Sequence, residues 1–163
     1  MLPNHTSPDS HTSPSPPMEE SSHRSAGIFS GKPSRGGVLV VDDEPDIRKV
    51  VRMTLEKDGY NVIEAQDGQE AMDMIQRGEN PMTLDVIITD IRMPNVNGIE
   101  AITYFKKEWP SVPLLVLTGF PDVEMATSLL QQGVHGYLVK PVEAERLKTS
   151  VANAIEQRQM NWM

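Results

Sequence analysis

Four short apolar runs each end on residues equipped for chemistry. Residues 38–41 stop on Asp42-Asp43-Glu44, 84–89 on Asp90, 114–117 on Thr118-Gly119, and 137–139 on Lys140-Pro141. In an open parallel sheet the crevice lies at the carboxyl ends of the strands, so groups far apart in sequence converge there. Carboxylates packed together repel one another. A hard divalent cation with oxygen ligands, of which Mg2+ is the natural choice, relieves that repulsion. Such a site suits phosphoryl transfer. The cation and the Lys140 ammonium would neutralise the transferring oxygens, the Thr118 hydroxyl would donate a further hydrogen bond, and one carboxylate would act as the nucleophile.

The elements that must position these groups alternate along the chain. Residues 38–41 read as a strand, and Pro45 suits the first turn of the helix that follows. Ile47, Val50, Val51 and Leu55 recur at helical spacing until Asp58-Gly59. Strands are then expected at 60–65, 84–89, 114–117 and 136–139, and helices at 68–76, 99–108, 122–132 and 143–157. Five strand-helix units imply an α/β fold, a doubly wound parallel sheet with helices on both faces and right-handed crossovers. Met53, Met72, Met74 and Met125 read as core filling. His135, between glycines, reads as a loop residue.

Composition limits the other possibilities. At 163 residues the chain has room for one domain and a tail. Residues 1–36 are rich in Ser, Pro, Thr and His and too poor in apolar surface to offset the entropy of ordering; they are expected to be a disordered tail, with the domain at 37–163. His5, His11 and His23 are too irregularly spaced for a metal site, and Asn4-His5-Thr6 matches a glycosylation sequon of no consequence in a cytoplasmic chain. The absence of cysteine excludes disulfides and thiol chemistry, in keeping with a reducing cytoplasm. No apolar stretch approaches the roughly 20 residues that span a bilayer. A net charge of −8 argues against direct nucleic-acid binding.

Asp42-Asp43, Asp90, Met93-Pro94 with Gly98, Thr118 and Lys140-Pro141, in that order, resemble the receiver domain of bacterial two-component response regulators. The resemblance covers residues 37–157 and implies a flavodoxin-like strand order of 2-1-3-4-5. By that likeness Asp90 is the phosphoacceptor. Asp42 and Asp43, with Asp90 and the backbone carbonyl of Arg92, hold Mg2+, and Thr118 and Lys140 hold the phosphoryl group. Tyr137 stands where the family has an aromatic switch residue that moves with Thr118. Arg92 and Phe120, each two positions beyond a key residue, flank the phosphoryl group.

The expected function is a signalling switch rather than a turnover enzyme. It takes phosphate from a sensor histidine kinase or histidine phosphotransfer protein and acts on a downstream protein target. Only one helix is expected after Lys140-Pro141, so no output domain is expected in this chain. Three other readings stand beside it. A receiver segment of a larger DNA-binding regulator or hybrid kinase would carry the same motifs. An aspartyl-phosphate phosphatase of the haloacid-dehalogenase type would need a second Asp where this chain has Arg92. A flavodoxin-like binding module would lack a glycine-rich phosphate loop here. Val142 stands where many DNA-binding members carry Phe, which leaves dimerisation open. Singly, Asp90 reads as a turn residue, Asp42-Asp43 as helix-capping acids, Thr118 as a strand-end hydroxyl and Lys140 as a surface lysine. Their joint occurrence reverses that reading.

Overall fold

The structure, a computed structural model, describes residues 33–77, 84–92 and 98–160. The expected motif residues Met93 and Pro94, and nearly all of the expected tail, lie outside them. The strands are β1 (Gly37–Val41), β2 (Asn61–Ala65), β3 (Val86–Thr89), β4 (Leu114–Thr118) and β5 (Gly136–Val139). Between and after them run α1 (Pro45–Lys57), α2 (Gly68–Arg77), α3 (Gly98–Glu108), α4 (Val123–Gln131) and α5 (Ala144–Met160). All strand pairs are parallel, in the order β2-β1-β3-β4-β5. The expected fold class and strand order are those observed.

Every residue of β1, β3 and β4 is buried, as a sheet covered on both faces requires. Successive side chains point to opposite faces. Leu39, Val41, Ile87, Leu114 and Val116 pack with Ala71, Ile102, Phe105 and Leu129 from α2, α3 and α4. Val38, Val40, Val86, Ile88, Leu115 and Leu117 pack with Val51, Leu55, Leu147 and Val151 from α1 and α5. Two cores therefore clamp one rigid sheet, and the rigidity is what fixes the strand tips.

The ends of the helices are locally determined. Pro45 stands at the start of α1, where its missing N–H costs nothing. Beyond Lys57 the chain turns at Gly59, whose φ of +97° a side chain would oppose. Asp122 and Gln132, expected inside the fourth helix, are its caps instead: the Asp122 carboxylate accepts from the N–H groups of Glu124 and Met125. Met72, Met74 and Met125 do pack against the core, but Met53 is 52% exposed on α1, because its position faces away from the sheet. Arg35 and Gly36, assigned to the tail on composition, contact the domain. The Arg35 N–H donates to the Gly59 carbonyl, and its guanidinium pairs with Asp58 at 2.8 Å and lies 5.0 Å from the Tyr60 ring centre. Among the described residues no helix is long and apolar enough to cross a membrane.

Candidate functional site

Strand register delivers the site. Val41 stands opposite Ala65 and Thr89, so the next residues, Asp42 and Asp90, emerge side by side at the carboxyl end of the sheet. Backbone bonds fix both: the Asp42 N–H donates to Ala65 and the Asp90 N–H to Val41. On the other side Thr118 stands opposite Val139, and the Lys140 N–H donates to the Thr118 carbonyl at 2.8 Å.

Lys140 reaches back across the crevice to three carboxylates. Its Nζ lies 2.7 Å from Asp90 Oδ2, 2.8 Å from Asp42 Oδ2 and 2.8 Å from Glu44 Oε1. Asp42 and Asp90 are 1% and 5% exposed, whereas Glu44 is open to solvent. Their remaining oxygens are held from the main chain: Asp42 Oδ1 accepts from the Glu44 N–H and Asp90 Oδ1 from the Arg92 N–H, both at 2.9 Å. Burial alone would lower the Lys140 pKa, but the close contacts with the carboxylates of Asp42, Asp90 and Glu44 outweigh it and the ammonium is held above its ordinary value. Asp42 shifts upward: burial dominates, the Asp90 charge adds to it, and Lys140 and the Glu44 N–H only partly offset them.

The residues fit a hard cation. Carboxylate oxygens of Asp42, Asp43, Glu44 and Asp90 all lie within 4.8 Å of one another. Asp42 Oδ2 is buried, and its one polar contact among the described residues is the ionic one to Lys140 at 2.8 Å, without an aligned hydrogen bond, which leaves its lone pairs open to a cation. An all-oxygen set of this kind matches Mg2+ rather than a softer metal.

The other expected residues fall around this cluster. Thr118 is fully buried, and its Oγ1 accepts from the Phe120 N–H at 3.1 Å. Tyr137 is half-buried against the core beneath α4, and its hydroxyl accepts from the Asp122 N–H at 3.3 Å. The Arg92 guanidinium and the Phe120 ring stack beside a cavity of about 130 Å3, lined also by Ile91, Ile99, Asp122 and Met125. Glu44 belongs to the acidic run but is no ligand in the expected site, and Arg48 carries no expected role. Glu44 shares Lys140 with the buried acids, and Arg48 donates to the Asp42 carbonyl at 2.6 Å. A lone Glu64 inside the second strand was the available signal for Arg48, since a carboxylate there needs a cationic partner.

Residues 38–152 match the response regulator receiver domain. The transcriptional regulatory protein GlrR of Escherichia coli K12 is 32% identical over 129 residues, which are 79% of this chain and 28% of that protein. The chain therefore spans little more than a quarter of that relative. A response regulator receiver domain from Clostridium thermocellum superposes with a TM-score of 0.70 at 33% identity, covering 77% of this chain and 98% of that one. The beryllofluoride-activated NtrC4 receiver domain dimer superposes with a TM-score of 0.68 at 31% identity, covering 75% of this chain and 98% of that one. With the strand order, this places the chain in the response regulator receiver domain family of two-component systems.

Proposed function

We propose that this chain is a phosphorylation-controlled switch that accepts one phosphoryl group on Asp90 from a histidine kinase or histidine phosphotransfer protein. The observation that carries the reading is the buried Asp90 carboxylate held 2.7 Å from Lys140 beside the buried Asp42. An oxygen of Asp90 attacks phosphorus as the donor's P–N bond breaks, and the bonding pair leaves on the imidazole nitrogen. Lys140, now bonded to Asp90 Oδ2, turns to a phosphoryl oxygen. Asp42, Asp43, Asp90 and the Arg92 carbonyl would hold Mg2+, which when bound neutralises phosphoryl charge.

Thr118 supplies a hydroxyl to the phosphoryl group in this reading, and releasing Phe120 from it would loosen the loop before α4. Tyr137, bonded to Asp122 at the N-cap of that helix, is placed to feel the change. The output is a shift between two packings, read by a downstream protein. The coverage of GlrR favours a second reading, in which this domain governs a longer transcriptional regulator. The solved NtrC4 dimer makes a second copy of the chain a candidate partner. Incubation with a small phosphodonor tests the assignment: labelling should require Mg2+ and cease with a chelator.

A further inference from the structure

Arg48 lies on α1, outside the cluster of acids, yet it touches the segment that carries two of them. Its Nη1 donates to the Asp42 carbonyl at 2.6 Å and its Nε to Glu64 Oε1 at 3.1 Å. Glu64, on the edge strand β2, also pairs with Arg52, so Arg48 is gripped from behind by an oriented carboxylate. The two partners are mostly buried, with side-chain exposures of 17% and 24%.

Consider what fixes the acidic segment. The Asp42 N–H is taken by Ala65 and its side chain by the Glu44 N–H. The peptide that joins Asp42 to Asp43 is held at its carbonyl by Arg48. Asp43 itself is exposed, so the direction of its carboxylate rests on that peptide. A planar peptide transmits orientation: turning the carbonyl of one residue turns the N–H and Cα of the next.

We infer that Arg48, braced by Glu64, is a positioning residue that sets the Asp42–Asp43 peptide and thereby aims both carboxylates at a divalent cation; this rests on the Mg2+ site proposed above. Electrostatics alone would argue the opposite, since a guanidinium near a cation site opposes binding. The sign of the effect therefore separates aiming from charge.

The test is Mg2+ titration of the full chain, followed by amide chemical shifts, with thermal melting as the control. Arg48→Met should weaken Mg2+ about tenfold, the scale on which residues that orient metal ligands act. Arg48→Lys, which keeps the charge but not the two-pronged reach, should also bind more weakly than wild type. Glu64→Gln should weaken binding by a smaller factor. Adding Glu64→Gln to Arg48→Met should change little further, since both act through one contact. If Arg48→Met fails to fold, Arg48→Lys carries the same test, since it keeps the charge and should bind more weakly only if the two-pronged contact aims the ligands. Mg2+ affinity that stays the same or tightens in the folded Arg48 variants would overturn the inference, leaving an ion pair that only stabilises. A wild type that binds no Mg2+ would remove the site itself along with it.

Discussion

The guanidinium of Arg92 lies 4.5 Å from the centre of the Phe120 ring. Two side chains from different strand ends thus form a cation–π pair beside the crevice, although Phe120 is 60% exposed. Hydrolysis of a phosphoryl group on Asp90 needs a water in line with the P–O bond. In the function proposed above, the stacked pair would lie across that water's approach. Arg92→Asn combined with Phe120→Ala should therefore shorten the lifetime of the phosphorylated form. Phosphate loss is followed after donor removal; unchanged decay in a folded double variant would eliminate the shielding role.

Asp42 gives a prediction with a definite sign. Its pKa is raised chiefly by burial, so the carboxyl favours the fold below its ordinary titration range, near pH 4, and this contribution is lost as pH rises through the folded value. Ionised Asp42 thus opposes folding at neutral pH. Metal-free Asp42→Asn should melt higher than wild type at pH 7, and the advantage should vanish in acid, where Asp42 is already neutral. The same variant should bind Mg2+ more weakly. A lower melting temperature at pH 7 would show that the pairing with Lys140 outweighs burial.

Two truncations separate composition from contact. Removing residues 1–33 should leave the melting temperature nearly unchanged, because that segment has too little apolar surface to contribute. Removing residues 1–36 also deletes Arg35, with its ion pair to Asp58 and its stack on Tyr60. That should cost about 1 kcal/mol, the range for an exposed pair plus an exposed cation–π contact. Equal melting of the two truncated forms would mean that Arg35 contributes nothing.

Asp42, Asp90, Thr118 and Lys140 are legible in the sequence because a continuous apolar run stops at each, the signature of a parallel strand buried on both faces for the first three and of the partly buried edge strand β5 for Lys140. Asp122 and Gln132 continue the sequence pattern of α4, and only the backbone makes them its caps rather than its ends. Residue type alone places Met53 in the core, but position decides: it is a helix neighbour of Val50, which is also exposed, and both lie off the buried stripe. The Lys140 to Glu44 pair joins residues 96 apart, and the Arg48 bond to Asp42 ends on a carbonyl. Neither leaves a trace in spacing.

The central claim is that Asp90 takes the phosphoryl group, and intact mass after incubation with a small phosphodonor tests it directly. Wild type should gain one phosphoryl group in the presence of Mg2+ and none in the presence of a chelator. Asp90→Asn should gain none under either condition, because an amide is neither a nucleophile nor a good Mg2+ ligand. Stable labelling of Asp90→Asn to the extent seen in wild type would contradict the account.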